Sequence, residues 1–147
     1  MKVIKVGLYA LILVSLLLIP LERVDIANLE PIQAVWMYLE NGNIVLLTDT
    51  EDKGCGVTVE SAMSDMREKS RGIVYLDTAQ FLFVADSAQK DISAIGSLVK
   101  GSIRLCKWEG QGDIKDAVKY ADSHNIGVKL NKWEDLGRLP ELPPLNQ

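Results

Sequence analysis

Three stretches of this chain carry side chains that could do chemistry. The first is Asp122-Ser123-His124, which holds the only histidine. A hydrolytic triad needs its acid, base and nucleophile to converge from separate elements, so three sequence neighbours do not make one. At a helix end, His124 reads instead as a cationic group favoured by the helix dipole. The second is the acidic run Asp49-Thr50-Glu51-Asp52. Calcium needs oxygen ligands at ordered spacing, which this run lacks, and Lys53 follows it directly. It reads as a solvated turn. The third is Gly110-Gln111-Gly112-Asp113, ahead of a helix. Glycines there can cradle an anion. Glu109 and Asp113 repel one, however, and no lysine follows in P-loop position. A small hydrolytic or ligand-binding site would have to draw on Asp49–Asp52, or on Asp77 and Asp113. It requires those carboxylates to gather around one pocket.

Two cysteines, Cys55 and Cys106, lie some fifty residues apart. They read either as a long-range disulfide in an oxidising compartment or as two free core residues. Two cysteines and one histidine cannot supply a spaced metal-ligand set. No cofactor is implied and no catalytic residue assembles, so the chain is expected not to be an enzyme. Of the three tryptophans, Trp36 and Trp108 fall on predicted strands and read as core or sheet-face residues. Trp133 either folds back over the core or anchors a partner. The residues expected to meet a partner are Tyr75, Asp77, Gln80 and Trp133.

The elements that must position these residues follow from periodicity and turn signals. Ile32–Leu39 and Ile44–Thr48 read as two strands of a hairpin around Asn41-Gly42-Asn43. Asp49 to Gly56 reads as a polar loop. A helix from Val59 to Ser70, capped by Thr58, places Val59, Ala62, Met63 and Met66 on one face. Gly72 is its expected stop. Ile73–Leu76 and Gln80–Ala85 are extended, the second apolar on both faces like a central strand. Asp86 or Ser87, with Gln89 in capping-box position, opens a helix to Val99 with Ile92, Ile95, Leu98 and Val99 inward. Ser102–Trp108 is a strand with Ile103 and Leu105 on one side. Asp113 caps a third helix with Ile114, Ala117, Val118 and Ala121 inward, and Val128–Leu130 is a last short extension. The order β-β-α-β-α-β-α predicts an α+β fold, a small mixed sheet with an N-terminal hairpin and about three packed helices.

Lys2 and Lys5 precede an apolar run from Val6 to Ile19, stopped by Pro20. This is the layout of a secretory signal. The residues after Pro20 offer no small-x-small cleavage pair, so residues 3–21 are expected to remain as an uncleaved anchor in the cytoplasmic membrane. If cleaved, the chain is secreted. The lysines lie before the run and Glu22, Asp25 and Glu30 after it, which sends the domain to the outer face. The expected division is a signal or anchor at 1–21, a linker at 22–31, an α+β domain at 32–131 and a proline-containing tail at 132–147, irregular because of Pro140, Pro143 and Pro144. The composition is 48% hydrophobic with a net charge of −4, and no basic cluster suits it to nucleic acid.

The stretch Gly56-Val57-Thr58-Val59-Glu60-Ser61-Ala62-Met63-Ser64-Asp65-Met66, with Ile73 to Asp86 after it, resembles the N-terminal domain of the C subunit of spore germinant receptors, the GerAC family. The similarity lies in an amphipathic helix of the type T-x-E-A-hydrophobic, then a Tyr-Leu segment (Tyr75-Leu76) leading into the apolar strand Phe81-Leu82-Phe83-Val84-Ala85. Ile92–Val99, Ile103–Trp108 and Asp113–Asp122 are similar to the family's next pieces, so the resemblance spans about residues 32 to 130. Three features depart from the family. No lipobox cysteine ends the apolar segment, Asp77-Thr78 stands where the family has Gly-His, and the family's further domains have no counterpart. The resemblance implies no catalytic residues. It implies a spore-former, a membrane-proximal location and contacts with other envelope or germinant-receptor proteins in a germination or sporulation assembly.

Overall fold

Asn41 and Gly42 both take positive φ, 52° and 81°, and close a two-residue turn between β1 (Ala34–Glu40) and β2 (Asn43–Thr48). The register pairs Glu40 with Asn43 and Tyr38 with Val45, as the turn signal predicts. The computed structural model describes residues 31–135 and 138–145. The anchor expected at 1–21 and the linker up to residue 30 lie outside the described residues. Among the described residues, no helix is long and apolar enough to cross a membrane.

Lys53–Gly56, expected as loop, is an edge strand, β3, antiparallel to β2. Its two glycines hid it, because glycine is depleted in strands. Here they are needed for packing. A Cβ on Gly54 would collide with the Ala62 carbonyl and Met66, and one on Gly56 with Ser61. The helix α1 (Val59–Lys69) therefore lies directly on β3. Thr58 caps α1, accepting from the Ser61 amide at 3.2 Å while Ser61 Oγ accepts from the Thr58 amide at 3.0 Å. Val59, Ala62, Met63 and Met66 are its buried face, as expected. The helix stops at Lys69, before Gly72, with Ser70 as C-cap.

Ile73–Leu76 does not join the sheet. Residues 73–75 are irregular and Leu76–Thr78 forms a 3-10 turn, in which Thr78 Oγ1 donates to the Tyr75 and Ile32 carbonyls. Regular pairing starts at β4 (Phe81–Val84), all four residues of which are buried. The expected helix to Val99 is mostly a 3-10 segment, Asp86–Asp91, followed by a single turn, α2 (Ile92–Ile95). The capping box fails for a local reason. Gln89 Nε2 donates to Asp86 Oδ1 at 2.8 Å, and the same oxygen is drawn to Lys107 at 3.2 Å. Ile92, Ile95 and Val99 are still buried. Strand β5 (Arg104–Lys107), helix α3 (Ile114–Ser123, capped by Asp113) and strand β6 (Val128–Lys129) complete the order.

The sheet runs β3-β2-β1-β4-β5-β6. Strands β1, β4 and β5 are parallel and the other neighbours antiparallel, so the sheet is mixed and the fold α+β. Alternation along the strands makes two cores. Val35, Met37, Leu46, Leu82 and Leu105 face α1 and α2. Ala34, Phe81, Phe83, Cys106 and Trp108 face α3. The proline-containing tail has one isolated bridge, Lys107 with Glu141, yet it closes both cores. Leu139 is buried in the first and Leu142 in the second. The packed unit thus extends beyond residue 131.

Candidate functional site

Because β1, β4 and β5 are parallel, their amino ends meet at one end of the sheet. The segment leading into β4 and the segment leading into β5 diverge there and leave a cleft of about 390 Å³. One wall is Asp77–Gln80. The other is Lys100, Ser102, Arg104 and Lys129. The 3-10 turn that displaced the expected strand at Leu76 is what shapes the first wall. It ends where the Gln80 amide donates to the Gln33 carbonyl at 2.8 Å.

The second wall is basic. Arg104 on β5 stands directly opposite Lys129 on β6. Like charges placed so oppose pairing. Arg104 is partly compensated: Nη2 meets Asp122 at 2.6 Å and the guanidinium lies over the Phe81 ring at 4.1 Å. No ion pair among the described residues includes Lys100 or Lys129.

Of the expected contact residues, Asp77 and Gln80 line this cleft. Tyr75 is their neighbour, 48% exposed, and its hydroxyl is held above the ordinary tyrosine range by a hydrogen bond to Asp77 and by the charge of that carboxylate. Ile73, two residues before Tyr75, is also 48% exposed. Trp133 is not part of this group; it is half-buried and packs against the first core.

The remaining candidates are dispersed. Asp49 is buried, and its Oδ1 accepts from the Gln33 and Ala34 amides at 2.9 and 3.1 Å, which anchors the start of β1. Thr48, Thr50 and Asp52 bond to one another across the turn. Asp77 precedes β4 and Asp113 follows β5, so these two carboxylates sit at opposite ends of the sheet, at least about 13 Å apart. Gly110 has φ 77°, and the Trp36 ring lies where a Cβ would be, so the glycine serves packing. Asp113 is spent on the Lys115 amide at 2.8 Å. His124 stacks on Tyr120 at 4.1 Å, with Nδ1 2.9 Å from the Tyr120 carbonyl, while Asp122 turns to Arg104. Among the described residues, no group of three or more His, Cys, Asp or Glu could hold a metal ion.

Cys55 is exposed and free on β3, and Cys106 is buried and free on β5. Four strand spacings separate β3 from β5, about 19 Å. A disulfide needs Cα atoms within about 7 Å, so no bridge joins them. Burial pushes the Cys106 thiol up to about 12, against a smaller opposing pull from Arg104. Trp36 stacks on Tyr38 at 4.1 Å and donates to the Trp108 carbonyl, and Trp108 is buried, so both belong to the sheet face and core.

Lys100, Ser102, Arg104 and Lys129 carry no sequence motif. They come from a turn and two strands, and only the β5–β6 register brings them together. Charge counting could find the residues singly but not their meeting. Searched against known proteins, the chain matches no protein-family model, no curated protein and no solved structure.

Proposed function

We propose that this chain is a non-enzymatic domain held at the outer face of the cytoplasmic membrane by residues 3–21, where it acts by protein–protein contact. Its contact surface is the segment Ile73–Gln80. The observation that carries this reading is the exposed apolar pair Ile73 and Tyr75 on an irregular segment beside a polar cleft. Exposed aromatic and aliphatic side chains next to polar groups suit a partner surface better than a solvated loop. The resemblance to the N-terminal domain of germinant-receptor C subunits supports a place in a spore germination or sporulation assembly. The acidic-loop alternative loses its footing, because Asp49 is committed to backbone amides and Asp77 and Asp113 stand at opposite ends.

The test is co-purification from detergent-solubilised spore membranes of a spore-forming host. The full chain is expected to bring envelope proteins with it, and Ile73→Ser with Tyr75→Ser to reduce their recovery about tenfold. Recovery of the chain alone in the soluble fraction overturns both the tether and the partner.

A further inference from the structure

The amino ends of β1, β4 and β5 share one end of the sheet with the point where the chain arrives from residue 31. Thr78 Oγ1 donates to the Ile32 carbonyl at 3.1 Å and the Gln80 amide to Gln33, so the arriving chain is bonded to the wall of the cleft itself. Ten residues, 22 to 31, lie between the expected anchor and the domain. Fully extended they span at most about 35 Å. The cleft is therefore on the end of the domain at which the chain from the expected anchor enters.

The two ends of the sheet differ in charge. At the far end, Glu40, Asp86, Glu109, Asp113 and Glu141 outnumber Lys107 and Lys115; Glu40 is paired with Lys53 at 3.3 Å, and Lys107 is ringed by three of the others at 3.2 to 4.0 Å. At the near end, the cleft presents Lys100, Arg104 and Lys129 against Asp77, with Asp122 already engaged by Arg104. The acidic turn at 49–52 shares this end, but it follows β2, three strand spacings from β5. That is about 14 Å, beyond the screening length of about 10 Å at moderate salt. The like-charge pair Arg104–Lys129 costs stability that Asp122 offsets on the Arg104 side alone, and an anion between the two groups would offset the rest.

We infer that this cleft binds the phosphate of an anionic phospholipid headgroup, with Lys100 and Lys129 as its charged donors and Ser102 and Gln80 as neutral ones. The inference rests on the tether reading for the source of the phosphate, and on the cleft alone for the chemistry. Two lysines near an anionic surface are worth about 1 kcal/mol each. Binding there turns the acidic end away from the bilayer and fixes the height of Ile73 and Tyr75 above it.

The experiment uses the full chain reconstituted in vesicles of phosphatidylglycerol with phosphatidylcholine, and of phosphatidylcholine alone. Lysine acylation is read residue by residue by mass spectrometry. Lys100 and Lys129 are expected to be protected about fivefold in the anionic vesicles only, while Lys69 at the same end and Lys115 at the other are unchanged. Lys100→Gln with Ser102→Ala is expected to remove the protection of Lys129. A parallel arm adds inorganic phosphate to the chain in neutral detergent. Protection by phosphate without protection by anionic vesicles overturns the lipid as source. Protection by neither overturns the cleft as an anion site. Release of the chain from both vesicles by alkaline carbonate overturns the tether reading, and the detergent arm then decides the cleft by itself.

Discussion

Arg104 and Lys129 face each other across β5 and β6, two cations directly opposed in an antiparallel pair at the edge of the sheet. Their arrangement yields a stability test separate from any ligand. Lys129→Glu replaces repulsion with attraction and should stabilise the domain by about 0.5 kcal/mol. For a unit of about a hundred residues that is a rise of about 2 °C in Tm. The same substitution should abolish protection of Lys100 by anionic vesicles. A variant that is more stable and binds less would mark the pair as retained for binding. Unchanged or lower Tm would show that Asp122 already neutralises Arg104 fully.

Cys106 supplies a pH dependence with a definite sign. Its thiol is raised from 9.0 to about 12 in the folded chain by desolvation. The folded state therefore holds the proton where the unfolded chain releases it. Stability from this source is fully present below pH 9 and falls as pH rises from 9 toward 12, by at most about 1.4 kcal/mol per pH unit. Denaturant melts of the wild type and of Cys106→Ala across that range check it, and the substitution should flatten the slope. At pH 8, a maleimide should modify exposed Cys55 rapidly and Cys106 only on unfolding.

Asp49 should behave as a structural residue. Its Oδ1 holds two amides at the start of β1, one of them buried. Asp49→Ala leaves those donors unsatisfied and should cost about 2 to 3 kcal/mol, read as a lowered denaturant midpoint. Glu51→Ala, on the exposed tip of the same turn, should shift it little. Equal effects of the two would return the acidic turn to the list of candidate sites.

Much of the architecture was legible wherever a local rule and the final packing agree. Asn41-Gly42 gave the hairpin, Thr58 and Asp113 gave two helix starts, and the run Phe81–Val84 gave the central strand. What escaped was decided by distant partners. Lys53–Gly56 is a strand because α1 needs glycine beneath Ala62 and Met66, a reason invisible in the strand's own residues. Asp86 and Gln89 spell a capping box, but Lys107, on a neighbouring strand, takes the carboxylate. The cleft was half legible. Asp77 and Gln80 stood out beside the apolar strand, whereas Lys100, Arg104 and Lys129 became a group only through the β5–β6 register.

The tail gives a last prediction, because its prolines disguise its role. Past the end of β6, the outer edge of β5 is taken over by the tail. The Lys107 amide donates to the Pro140 carbonyl at 2.8 Å and the Leu142 amide to the Lys107 carbonyl at 2.9 Å. Between those bonds the chain crosses the sheet edge, so that Leu139 enters one core and Leu142 the other. Proline lacks the donor for a regular ladder but supplies the carbonyl used here. Truncating either leucine to alanine should then cost about 2 to 5 kcal/mol, the range for a buried Leu, rather than the small change of a surface tail. Deleting residues 138–147 should expose the Lys107 edge and make the shortened chain aggregate at lower concentration. Thermal melts and light scattering of Leu139→Ala, Leu142→Ala and the truncation test this together. If both leucine variants melt within about 1 °C of wild type, the tail is an appendage and not part of the fold.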